Sequence, residues 1–198
     1  MDKQAYIFIG RSGCGKGTQA ELFIEYLKKN SSKNVFYLQT GDEFRKFIKQ
    51  ENLSSKLAAE ISPQGKLQPM FLTVMLWAKA LVENLKGDEH LVFDGTPRKK
   101  DEADVLESVF DFYGYKKPVV IYINVPREWA TEKLLARGRG DDELEKINRR
   151  QDWFDTEVMV TLDFYKKSDK HFFIEVNGNQ SIEEVHAEVI NKIGDFEF

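Results

Sequence analysis

The chain is poor in residues that staple or ligate. Among its 198 residues there is one cysteine, Cys14, and there are three histidines, His90, His171 and His186. A lone thiol excludes an internal disulfide and any multi-cysteine zinc site, and the scattered histidines have no ligand spacing. No apolar run approaches the about 20 residues that a membrane-spanning helix needs, so no membrane partner is expected. Met1-Asp2-Lys3-Gln4 leads straight into the first apolar run without a signal-peptide pattern, and a cytoplasmic setting is expected. Excess positive charge is also missing. The net charge of −4 argues against a nucleic-acid surface, so clustered arginines are better read as ligand groups. Repeats, low-complexity tracts and long linkers are absent. With 41% hydrophobic and 31% charged residues, the composition fits one globular domain with a sizeable core.

What the chain does have begins at Ala5-Tyr6-Ile7-Phe8-Ile9, a run short enough for a buried strand. It ends in Gly10-Arg11-Ser12-Gly13-Cys14-Gly15-Lys16-Gly17-Thr18 and opens into residues 19–27, which have helical spacing. Glycines at 10, 13 and 15 let successive N–H groups point into one concavity at the positive end of the following helix. Such a loop cradles phosphate. Lys16 adds a charge that can follow a phosphoryl group, and Thr18 a hydroxyl near a metal position. Gly17 departs from the usual P-loop pattern, which has Ser or Thr after the lysine. Cys14, beside Lys16 and a helix N-terminus, is expected to favour its thiolate, so that oxidation there blocks nucleotide binding.

Further along, strands are expected at Asn34–Leu38, Leu91–Phe93, Pro118–Val125 and His171–Val176. Helices are expected at Gly41–Asn52, capped by Thr40 or Asp42, and at Leu53–Ile61 before the breakers Pro63 and Gly65. Another runs from Leu67 to Leu85, its apolar stripe of Phe71, Leu72, Met75, Leu76, Ala80 and Leu81 read as core packing. Pro97 is expected to start a helix to about Tyr113, Arg127–Arg137 is the next, a long one runs from Asp141 or Asp142 to Lys167, and Ser181–Ile193 is the last. Strands alternating with helices predict an α/β sandwich of three layers, with a five-stranded parallel sheet at its centre. Ligands in such sheets bind beyond the carboxyl ends of the strands, so the stretch of about fifty residues between the second and third strands and the Gly138–Gly140 loop are expected to cover a site.

These residues resemble the adenylate kinase family of nucleoside monophosphate kinases along nearly the whole chain. Gly13-Cys14-Gly15-Lys16-Gly17-Thr18-Gln19 is similar to the family's phosphate loop, which has glycine after lysine. Thr40-Gly41-Asp42-Glu43-Phe44-Arg45 and Gly65-Lys66-Leu67-Gln68-Pro69 resemble its two monophosphate-binding segments. Asp94-Gly95-Thr96-Pro97-Arg98 resembles its Asp-Gly-aromatic-Pro-Arg signature, and Arg137-Gly138-Arg139-Gly140-Asp141-Asp142 with Arg150 resembles its lid.

The resemblance implies a single P-loop domain with core 1–39, 69–136 and 143–198, a helical monophosphate-binding insertion 40–68 and a short lid 137–142. It implies reversible, Mg²⁺-dependent transfer of the γ-phosphoryl group of ATP to a monophosphate, AMP in first place, by a monomer. Lys16, Arg98, Arg139 and Arg150 are then the catalytic charges, their planar forks bridging phosphate oxygens. ATP would lie on Gly13, Cys14, Gly15, Lys16, Gly17 and Thr18, with Arg137 and the backbone of Gln180. The monophosphate would lie on Thr40, Gly41, Arg45, Lys66, Leu67, Gln68, Gly95, Arg98 and Glu102, with Arg139 and Arg150 closing over it. Mg²⁺ would be held through water near Thr18 and Asp94, although Asp94 has a second reading as a helix cap.

Departures from the family pattern leave alternatives open. Ser12, Lys133 and Thr96 replace the usual proline, arginine and aromatic residue, and Gln180 replaces a frequent glycine. Glu102 stands where relatives carry a glutamine that reads adenine. A carboxylate only accepts, which suits the adjacent donors of guanine, so a GMP kinase is the first alternative. Acidic residues near a helix N-terminus are also favoured, whatever the ligand, by roughly 0.3–1 kcal/mol. A regulatory nucleotide-binding protein with little transfer activity is the second alternative.

Overall fold

The structure, a computed structural model, describes residues 2–140 and 142–196. Asp141, part of the expected lid and one expected start of the long helix, lies outside the described residues. Five parallel strands, β1 (Ala5–Gly10), β2 (Val35–Gln39), β3 (His90–Asp94), β4 (Val119–Asn124) and β5 (Phe172–Asn177), form one sheet in the order β2-β3-β1-β4-β5. Parallel strands of this kind read as nearly continuous apolar runs because both faces are covered. The sequence Val119-Val120-Ile121-Tyr122-Ile123 is buried throughout.

Alternation along β1 divides the core between the two faces. Tyr6 and Phe8 pack with residues of α1 (Lys16–Asn30), α6 (Arg127–Arg137) and α9 (Ile182–Gly194). Ala5, Ile7 and Ile9 pack on the other side with α4 (Met70–Asn84), α5 (Lys100–Tyr113) and α8 (Met159–Lys167). The result is the expected three-layer α/β sandwich. A small satellite core, Phe47, Ala58, Leu72 and Leu76, joins α2 (Thr40–Phe47) and α3 (Leu53–Ile61) to α4. Among the described residues, no helix is long and apolar enough to cross a membrane.

Several sequence expectations need correction. The helix α2 starts at Thr40 and stops at Phe47, and neither Thr40 nor Asp42 caps it, since its N-cap is Gln39 at the end of β2. In α4, Leu72, Leu76 and Leu81 are buried, but Phe71 is 69% and Met75 39% exposed. These two stand one turn apart, so the apolar stripe is wider than the surface it packs against.

Pro97 does not start a helix. The Thr96–Pro97 peptide is cis, α5 starts only at Lys100, and Arg98 lies in the connecting loop. The long helix begins at Leu144 as α7 (Leu144–Trp153), passes through a π-helical turn, Phe154–Val158, and continues as α8. The last helix follows the N-cap Ser181, which forms a reciprocal capping box with Glu184.

Candidate active site

Because all strands are parallel, their carboxyl ends share one edge, and the loop from Gly10 to Lys16 lies over the central strand. Gly13 and Gly15 have φ of 91° and 86°, a region that side chains avoid. A Cβ at Gly13 would also lie 2.5 Å from the Ala130 carbonyl oxygen. The helix α1 has no side-chain cap and no acidic residue in its first turn. Its first N–H groups and the positive end of its dipole are thereby left for an anion. Lys16 Nζ donates to the Arg11 carbonyl at 3.3 Å, within the loop itself.

Asp94 ends β3 and pairs in register with Phe8 of β1 and Gln39 of β2. Its Oδ2 accepts from Gln39 Nε2 at 2.9 Å and from the Tyr37 hydroxyl at 3.3 Å. Its Oδ1 is buried without a hydrogen-bond partner. Asp94 does not cap α5, whose N-cap is Lys99. Gly17 lies close to Asp94: a Cβ there would come within 3.3 Å of Asp94 Oδ2, a tight contact. Among the described residues, no group of three or more His, Cys, Asp or Glu side chains could hold a metal by itself.

The structure gathers the expected residues around a cleft of about 1440 Å³. Single-ligand pockets run to about 300–1,000 Å³, so there is room for more than one nucleotide. The phosphate loop, Thr18, Asp94 and Gln180 line it with Gly41, Arg45, Lys66, Gln68, Gly95 and Arg98, and with Arg137, Arg139 and Arg150. Thr40, Leu67 and Glu102 line a small adjoining cavity instead, together with Gln68 and Arg98.

Within the cleft, Arg98 Nε donates to the Gly95 carbonyl at 2.8 Å and the guanidinium lies 5.3 Å from the centre of the Trp153 ring. Burial lowers the Arg98 pKa from its ordinary value, against the opposing pull of Glu102 and Asp94. Arg45 pairs with Asp42 one turn earlier on α2. Gln180 lines the cleft, and its Nε2 donates to the Asn177 carbonyl and to Glu188.

Between α6 and α7, Gly138 takes a left-handed conformation, and the chain turns so that Asp142 points inward. Its carboxylate accepts from Arg137 Nε at 2.9 Å, Arg137 Nη2 at 2.8 Å, Arg150 Nη2 at 2.8 Å and the Arg139 N–H at 3.1 Å. Burial alone would raise its pKa, but these donors outweigh burial and hold it at about 2. The exposed Arg139 side chain makes no ion pair with another described residue.

From the sequence Asp142 is one expected start of the long helix and part of the lid segment; only the turn shows that it organises the arginines. Gln39, Tyr37 and Trp153 also escaped the reading. Gln39 was detectable as the last residue of a strand, whereas nothing local distinguishes Trp153, whose Nε1 donates to the Gly65 carbonyl at 3.0 Å. The expected thiolate character of Cys14 is not supported. Its side chain is 3% exposed within the core, and burial raises the thiol pKa despite the nearby Lys16.

Comparison with known proteins matches this chain to the family model described as adenylate kinase over residues 8–170. An adenylate kinase of Porphyromonas gingivalis is 32% identical over 183 residues, covering 90% of each chain. Adenylate kinase 1 of Nostoc sp. is 31% identical over 188 residues, covering 95% of this chain and 97% of its own. An adenylate kinase of Parabacteroides distasonis is 32% identical over 188 residues, covering 92% and 94%. By family match, full-length relatives and the layout of the cleft, the chain belongs to the adenylate kinase family.

Proposed function

We propose that the protein is an adenylate kinase, a phosphotransferase that moves the γ-phosphoryl group of ATP to AMP and back. The observation that carries this reading is that one cleft is lined by the phosphate loop, by Gly41, Arg45, Lys66 and Gln68 of the segments that resemble monophosphate-binding ones, and by Lys16, Arg98, Arg139 and Arg150. A protein that only bound nucleotide would have no use for so many charges around a transferring group. Little covalent work is needed in such a transfer; the protein positions the groups in line and spreads charge. The N–H groups at the start of α1 and Lys16 would cradle the ATP phosphates. Arg45 and Arg98 would hold the monophosphate, and Arg137, Arg139 and Arg150 would close over both.

Mg²⁺ would supply charge neutralisation on the phosphates. The residues fit it: Asp94 offers a buried, unpartnered oxygen and Thr18 a hydroxyl on the same cleft, too few donors for a protein cage. That suits an ion held mainly by water and phosphate oxygens. Residues 40–68 would act as the monophosphate-binding insertion and 137–142 as a short lid that keeps water from the reaction. The protein would work as a cytoplasmic monomer.

The test is steady-state transfer from Mg·ATP to AMP, GMP, CMP, UMP and dTMP, with ATP hydrolysis measured without acceptor. AMP as the best acceptor, with loss of transfer in EDTA, is expected. Preference for another base, or hydrolysis without transfer, overturns the reading.

A further inference from the structure

In this chain, two departures from the family pattern touch each other. Glu102, 3% exposed, accepts from the Thr96 hydroxyl at 2.5 Å and from the Arg98 N–H at 2.7 Å, one donor on each carboxylate oxygen. Thr96 is itself fully buried. An aromatic residue at 96 could not donate in the same way, and a glutamine at 102 could offer only one acceptor oxygen. The carboxylate is thus committed to the loop that carries Arg98. It is also a poor partner for adenine, whose ring nitrogen would face it as a second acceptor.

An amide stands across the same small cavity. Gln68 lines both that cavity and the main cleft. Its Nε2 donates to the Ala58 carbonyl at 2.9 Å, and because a carbonyl only accepts, the NH₂ group must be the one facing it. The amide is therefore oriented, and Oε1 is turned the other way. That oxygen is buried without a hydrogen-bond partner. A ligand N–H would satisfy an acceptor left in this state. An exocyclic amino group supplies one; the carbonyl oxygen that guanine and hypoxanthine carry at that position does not.

We propose that Gln68 reads the amino group of the AMP base, and that Glu102 is a positioning residue that holds Arg98 through Thr96 and the loop backbone. The proposal rests on the AMP-kinase reading and assigns its base selectivity.

The experiment compares AMP with purine riboside 5′-monophosphate, which lacks only the amino group, on wild type and on Gln68→Leu, Glu102→Gln, Arg98→Ala and the last two combined. Gln68→Leu is expected to lower kcat/KM for AMP by about 10- to 100-fold and for the analogue by less than about threefold, so the preference collapses. Glu102→Gln is expected to lower kcat about tenfold on both substrates with the preference intact, and to add nothing in the Arg98→Ala background. Each preference compares two substrates on one protein, so loss of folded material cancels. An unchanged preference in Gln68→Leu, a changed one in Glu102→Gln, or an additive double variant overturns the proposal. A wild type that does not phosphorylate AMP fails the underlying reading instead.

Discussion

Replacing Asp142 by asparagine keeps the shape of the side chain and removes the charge on which Arg137, Arg150 and the Arg139 N–H converge. The carboxyl is held at about 2 against an ordinary 3.8. At about 1.4 kcal/mol per unit, this difference corresponds to about 2–3 kcal/mol of stability. A second route gives a similar figure. Breaking a buried ion pair costs about 3–5 kcal/mol, and here the cost is reduced because solvent reaches Arg137. The Asp142 side chain is 1% exposed, Arg150 12% and Arg137 34%.

In a chain of this length, a loss of about 2–3 kcal/mol lowers the melting temperature by about 4–12 °C at neutral pH. The sign with pH is fixed. A carboxyl with a depressed folded pKa stabilises fully above 3.8, and that stabilisation is lost as pH falls through about 2. The wild-type advantage should therefore be constant from pH 7 to pH 5 and shrink by about half near pH 3.

Activity should respond too. Without Asp142, two long side chains must be ordered on binding, at about 0.5–1.5 kcal/mol each, so kcat/KM for ATP falls about 5- to 150-fold. Calorimetric melts across pH and steady-state kinetics check both outcomes. A melting temperature within about 1 °C of wild type, or a difference that does not narrow in acid, refutes Asp142 as the organising charge.

Arg98→Ala and Arg139→Ala should each lower kcat about 10³-fold or more with an unchanged circular dichroism spectrum; a loss under about tenfold in both removes them from the chemistry. Gly13→Ala should destabilise by about 3 kcal/mol or more in urea unfolding, since left-handed strain of about 1–2 kcal/mol is joined by a collision with backbone. Cys14 should react slowly with a thiol reagent until denaturant is added, and peroxide-treated enzyme should keep its activity. Fast labelling of the native protein would contradict the buried, raised-pKa thiol.

The sequence by itself determined the layers, the phosphate loop and most of the residues that meet in the cleft. Glycines, a lysine and alternating apolar runs carry local physics: φ preference, helix-end charge and periodicity need no distant partner. Arg127–Arg137 was legible to the residue because Gly138 ends it. What tertiary structure decided depends on how the chain packs and turns, even where the groups that meet are near each other in sequence. Pro97 resembled a helix start until Glu102 engaged the loop before it, and Cys14 resembled a reactive thiol until the core closed over it. Asp142 gained its role from a turn that points it at Arg137 and Arg150, and Gln68 from the Ala58 carbonyl that orients its amide. Burial and hydrogen-bond direction are properties of the packed chain, and both set which polar groups remain available to a ligand.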